Sequence, residues 1–196
     1  MFPQTHKIIS QHVHNHVNEL LGVDLNKSSL IYGSIKPDIA PHLAKLAHFK
    51  PDTFGFICNG INDLSKYSLV PNEHFMKLIS RNIGVATHFM SDYFCVPHND
   101  RATYKNNFIE HMKYENSLHK LFKSFDKKID LTNVAHTLCT GSDISITDYL
   151  ESLHLKYTNN GESLENDLEY SVIASSSVAL YIISQSLSTS TYNQVA

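Results

Sequence analysis

His88 and Asp92 stand four residues apart, and so do His111 and Glu115. His98 lies between the two pairs, directly after Pro97. On an α-helix, residues four apart share a face, one turn above the other. Each pair can therefore grip one divalent cation from a single helix. His98, His111 and Glu115 already form a two-histidine, one-carboxylate set. That donor set suits zinc with an open coordination position, or non-haem iron(II). A lone His–acid pair on a helix surface is a common, weak interaction. The bracketing of His98 by two such pairs is what points to metal. Histidine is also in excess, with 13 among 196 residues, and it is the commonest metal-ligating side chain.

Helices must carry these pairs. The chain has only 7 Gly and 6 Pro, and they fall at plausible breaks between helical stretches. A first helix is expected from Thr5, a good N-cap, to Leu21, with Gly22 as its stop. A second is expected over 36–49, starting after Pro37, and a third beginning near Pro51. Helical periodicity runs over 72–94, up to Pro97, and again over 104–125, 142–157 and 162–187. FGFIC at 54–58 reads as a short strand or a helical turn. The expected fold class is all-α, a single domain over 1–196 with about seven or eight helices.

Composition narrows the function classes. Apolar content is 42% and charged content 18%, with a formal net charge of −3. A chain of this size buries about 70% of the surface exposed when unfolded, enough for one core. The charge gives no electrostatic case for nucleic acid, and no basic block addresses an anionic membrane. Cys58, Cys95 and Cys139 are odd in number and form no C-x-x-C pair. That argues against a disulfide framework and against a cysteine zinc site. The N-terminal stretch MFPQTHKIISQHVHNHV has no apolar signal-peptide core, so a cytoplasmic protein is expected. The most apolar segment, 172–187, is interrupted by serines and short for a bilayer. It reads as a buried amphipathic helix rather than a transmembrane one.

Several segments, in order, resemble the zinc-dependent phospholipases C of bacteria, whose all-helical trizinc architecture secreted single-strand nucleases share. They are TH at 5–6, YGSIKPDIAPH at 32–42, AHFKPDTF at 47–54, GVATHFMSDYFCVPHN at 84–99 and FIEHMKYE at 108–115. The resemblance implies roles at matching positions. His88 and Asp92 look like the family's central His-x-x-x-Asp, with Asp92 bridging two metals. Asp38 and His48 look like further ligands of the first metal. His98, His111 and Glu115 look like the second metal's set. His6 looks like the side-chain ligand of a third metal, shared with Asp92. Family members begin at a Trp whose amine and carbonyl bind that third metal. This chain has no Trp and residue 1 is Met, so the amino terminus would serve as Met1 or, after processing, as Phe2. The implied cofactor is two or three zinc ions, and an N/O donor set also admits other divalent transition metals. The membrane-binding β-domain of the toxic members has no counterpart in the sequence.

The implied reaction is hydrolysis of a phosphoester by a metal-activated water. Divalent cations neutralise the anionic substrate, orient the attack and bring a water's pKa from about 15.7 towards about 7. Asp38 is the expected base or water-orienting carboxylate. The substrate is a phosphodiester or phosphomonoester, with phospholipid the family's class and no nucleic acid expected. Glu115 favours the phospholipase branch, because the nucleases end their last ligand pair in Asp. Three alternatives stand beside this reading. One is a nuclease-like phosphodiesterase, and another a non-catalytic metal-binding protein on the same fold. The third, a carboxylate-bridged di-iron bundle, uses Glu-x-x-His at i,i+3, which does not match the i,i+4 spacing here.

The other histidines are read more plainly. His12, His14 and His16 cannot share one helix face, because a spacing of two rotates by about 200°. His12 and His16 do share one and form a lesser candidate pair. His42 lies one turn from Asp38, near enough to support it. His74, His119, His136 and His154 read as surface or core side chains. Ser91, Asn99 and Tyr114 read as surface or packing residues, and Cys95 as a small buried residue at a helix end.

Overall fold

The computed structural model describes residues 1–99, 107–139 and 144–195. Among the described residues every regular element is a helix, nine in all: α1 (Pro3–Leu21), α2 (Lys27–Ile39), α3 (Lys50–Ser65), α4 (Glu73–Tyr93), α5 (Val96–Asn99), α6 (Phe108–Ser124), α7 (Thr132–Cys139), α8 (Ile146–Asn159) and α9 (Leu164–Val195). They surround one hydrophobic core, so the chain is a single all-α domain. Parts of two expected helices, 104–106 and 142–143, lie outside the described residues.

Local chemistry explains most of the boundaries. Asn26, Asn72 and Asn107 each accept a hydrogen bond from a first-turn backbone N–H of α2, α4 and α6. Ser145 does the same for α8. These caps satisfy donors that the helix itself leaves unpaired. Gly22 ends α1 in the left-handed region at φ 65°, where a Cβ would be strained.

Two local expectations need correction, and one open alternative is resolved. The segment 36–49 is not one helix: α2 begins at Lys27, ends at Ile39, and turns fill much of 40–48. Pro37 reads as a helix start because Pro favours the first turn. The Asn26 cap outweighs it, together with the buried stripe Leu30, Gly33, Ser34 and Pro37 at i, i+3, i+4 and i+7. Pro37 instead occupies the last turn, two residues before α2 ends. Thr5 is not an N-cap; α1 starts at Pro3 after Phe2, and the buried Thr5 hydroxyl meets His119 Nδ1 at 3.1 Å. FGFIC is part of α3, and the short α7 is an element the periodicity did not reveal.

The long α9 is the axis of the core, touching α1, α3, α4, α6, α7 and α8. Its span Leu164–Thr189 is long and apolar enough to cross a bilayer, yet 67% of its most apolar window is buried inside the protein. Buried Ser175, Ser176 and Ser177 let neighbouring helices approach it closely, and Ser175 donates to the Thr87 carbonyl of α4 at 3.3 Å. The second half of α4 is also enclosed on all sides, with residues 86–93 buried. This is the stretch that carries His88 and Asp92.

Candidate metal centre

The site begins with a close helix crossing. A Cβ added at Gly33 of α2 would sit 2.1 Å from the Arg81 carbonyl oxygen, and one at Gly84 of α4 would sit 2.3 Å from that of Leu30. Only glycine permits the two backbones to approach this closely. The contact brings the Ser34 carbonyl within 2.7 Å of His88 Nδ1. A ring nitrogen facing a carbonyl must carry the proton, which leaves the lone pair on Nε2. The last turn of α2 then delivers Asp38, whose Oδ1 is 3.7 Å from His88 Nε2. His48 arrives from the loop before α3, with Nδ1 2.8 Å from Asp92 Oδ2 and 3.1 Å from His88 Nε2.

The first helix contributes His6. Ser91 Oγ donates to the His88 carbonyl at 2.8 Å and so accepts from His6 Nδ1–H at 3.1 Å. The His6 lone pair therefore lies on Nε2, which is buried, has no hydrogen-bond partner and is 3.5 Å from Asp92 Oδ1. The rings of His6 and His88 stack with centroids 4.0 Å apart. On the other side, α5 turns His98 back towards α6. Glu115 Oε1 meets His98 Nε2 at 3.0 Å and His111 Nε2 at 2.7 Å. The Met1 amino nitrogen lies between these groups, 2.7 Å from Asp92 Oδ1, 3.1 Å from His98 Nε2 and 3.2 Å from Glu115 Oε1.

All eight residues singled out in the sequence thus converge. They fall into three adjoining sets: His6, His88 and Asp92; Asp38, His48 and His88; His98, His111 and Glu115. In each, the potential ligand atoms lie within 4.8 Å of one another. The two oxygens of Asp92 face different neighbours: Oδ1 towards His6 and the amine, Oδ2 towards His48 and His88. The donors fit zinc. Tetrahedral ligands at bond lengths of about 2.0–2.1 Å stand roughly 3.3 Å apart. His88 Nε2 and Asp92 Oδ2 are 3.4 Å apart, and His6 Nε2 and Asp92 Oδ1 3.5 Å. A bare imidazole lone pair aimed at a buried carboxylate is repulsive unless a cation lies between them.

The electrostatics favour ligand-ready protonation states in the side chains. Burial drives His88 down to about 3, against the pull of Asp92. Burial and the nearby His88 hold His6 well below its usual range, and burial lowers His98. These imidazoles are neutral, as a metal ligand must be. For Asp92, burial opposes ionisation, but the amine and surrounding histidines outweigh it and keep its pKa well below normal. Glu115 is lowered in the same way, burial being overcome by the amine and the His111 and His98 contacts. Burial raises Asp38 to about 6, with Asp92 adding to the effect. At the amine burial is again opposed, and the two carboxylates lift it to about 11.

Other residues divide cleanly. His12 and His16 are not a ligand pair: His16 Nδ1 is 2.8 Å from Ser176 Oγ and its Nε2 is 3.1 Å from the Ile129 carbonyl. His42 is exposed in the turn after α2 rather than placed against Asp38. Ser91 is more than packing, since it fixes His6. Tyr114 is also more, since its hydroxyl donates to the buried Asp167 at 3.0 Å. No spacing signal marks either one, because their partners lie 85 and 53 residues away.

The fold and the site together define a class: an all-α protein with three adjoining imidazole–carboxylate sets that could hold metal ions. The family model described as zinc dependent phospholipase C matches residues 5–164. The chain belongs to that family. No curated protein and no solved structure gives a significant match.

Proposed function

We propose that this protein is a zinc-dependent phosphoester hydrolase that cleaves a phosphodiester in the manner of a phospholipase C. The observation that carries the reading is the convergence of three donor sets on Asp92, with His6 Nε2 buried and unpartnered beside it. His88, Asp92, Asp38 and His48 would hold one ion, and His98, His111 and Glu115 a second. His6 and Asp92 would hold a third. Bound zinc would neutralise the phosphate and make a water nucleophilic near neutral pH.

The residues of the chain supply the rest. His88 is locked by the Ser34 carbonyl and His6 by Ser91, so both lone pairs keep one direction. Asp38 is the outermost carboxylate of the first set, its side chain 25% exposed. There it would orient the attacking water and take its proton. Exposed apolar side chains support a lipid substrate. Ile39 follows Asp38, and Phe108, Ile109 and Met112 flank His111, all of them exposed. A net charge of −3 gives a polyanion no counterpart.

Elemental analysis of purified protein tests the reading first, followed by assay on a chromogenic phosphodiester, a phosphomonoester and phosphatidylcholine. The expected result is two or three zinc ions per chain and phosphodiester hydrolysis, reduced about 100-fold or more in Asp38→Asn. Metal-loaded protein inert towards all three substrates would leave a non-catalytic metal-binding protein as the better description.

A further inference from the structure

Asp167 lies in α9, just beyond the residues that the family model matches. It is 0% exposed. A carboxylate so placed is costly unless its oxygens are satisfied. Three donors satisfy this one. Oδ2 accepts from the Val96 backbone N–H at 2.9 Å and from the Tyr114 hydroxyl at 3.0 Å. Oδ1 accepts from the Tyr157 hydroxyl at 2.7 Å. Burial raises its pKa to about 6, offset in part by these bonds.

The identity of the donors is the informative part. Val96 opens α5 and stands two residues before His98. Tyr114 stands next to Glu115 on α6. One carboxylate oxygen therefore joins the two segments whose ligand atoms meet 3.0 Å apart at His98 and Glu115. The far ring nitrogen of His98, Nδ1, is buried without a hydrogen-bond partner, so no acceptor behind the ring orients it. Tyr157 lies on α8, which carries no candidate ligand.

We propose that Asp167 is a positioning residue for the metal centre, setting the angle between the His98 turn and the His111–Glu115 helix from behind. The inference rests on the metal-binding reading given above. Outer partners of metal ligands contribute about 10–100-fold to metal affinity by holding ligand geometry. The two tyrosines separate positioning from general packing. Tyr114→Phe cuts the tie to a ligand-bearing helix, and Tyr157→Phe cuts a bond of the same kind to a helix without ligands.

The test uses the full-length protein, with zinc affinity from competition against a chromophoric chelator and the absorption spectrum of the cobalt(II) form. Wild-type zinc content is measured first; a wild type that takes up no zinc overturns both the proposed function and this inference. With a zinc-binding wild type, Tyr114→Phe should bind its weakest ion about 10-fold less tightly and shift the cobalt spectrum. Asp167→Asn should exceed that loss, and Tyr157→Phe should match wild type in both readouts. Wild-type affinity and spectrum in folded Tyr114→Phe would overturn the proposal while leaving the proposed function intact. So would an equal loss in Tyr157→Phe, which would mark a general loosening of the fold. If Asp167→Asn fails to fold, the comparison of the two tyrosine variants decides.

Discussion

His88–Asp92 and His111–Glu115 have the same spacing and the same helical geometry, yet the protein treats them differently. The first pair is sealed, with both side chains 0% exposed, on a helix pressed against α2 and covered by α9. The second lies nearer the surface, with His111 26% exposed and Glu115 7%. His88 has a backbone carbonyl behind it. Glu115 instead collects His98, His111 and the amine around one oxygen. The i,i+4 pattern supplies only the bite; burial decides that one pair is the sealed hub and the other the more open rim. Desolvation is what makes hub electrostatics strong, so the hub should be the more sensitive to charge.

The sharpest way to break this contrast is charge removal at each pair. Asp92→Asn should empty both neighbouring sets and cut phosphodiester hydrolysis by at least about 100-fold, beyond the loss typical of outer partners. Glu115→Gln should release about one ion per chain, leave the Asp92 sets loaded and cut activity by about 10–100-fold. Equal zinc loss in the two variants would erase the distinction between hub and rim. Gly84→Ala probes the clamp: its methyl group would overlap a backbone oxygen, costing about 1–3 kcal/mol or more in chemical denaturation. An unchanged midpoint would show that the crossing yields without cost.

The smallest effect is a slope with pH. Folded His88 is depressed from 6.5 to about 3 by burial. The stability tied to its neutral form is complete above 6.5 and is lost as pH falls towards 3, because the unfolded chain takes up a proton that the fold refuses. His154 is lowered to about 4, chiefly by burial, and acts with the same sign. The metal-free protein should therefore melt at progressively lower temperature as pH is reduced from about 7 to about 4. A flat profile would mean that Asp38 and Asp167, raised to about 6 and opposite in sign, cancel the histidines.

Much of this was legible in the sequence because it is local. Helical periodicity, asparagine and serine caps and the His-x-x-x-acid spacing all act within a turn or two. The family resemblance supplied the distant members, Asp38, His48 and His6. What escaped reading is tertiary. The second helix is expected over 36–49 because Pro37 is a good helix start, and the Asn26 cap with the packed face against α4 moves it to Lys27–Ile39. Ser91 and Tyr114 read as filler because their partners come from other helices. Asp167 carries no motif at all; it becomes visible only when three helices and a turn close around it.

The acceptor that orients His88 is a main-chain oxygen rather than a side chain. Genetic drift at position 34 leaves that oxygen in place, so no replacement of Ser34 can delete the contact directly. Vulnerability passes instead to Gly33 and Gly84, where a single added carbon would push the strut away from the ring. In a saturation-mutagenesis map, intolerance at the heart of this centre would be written at two residues that bear no functional group.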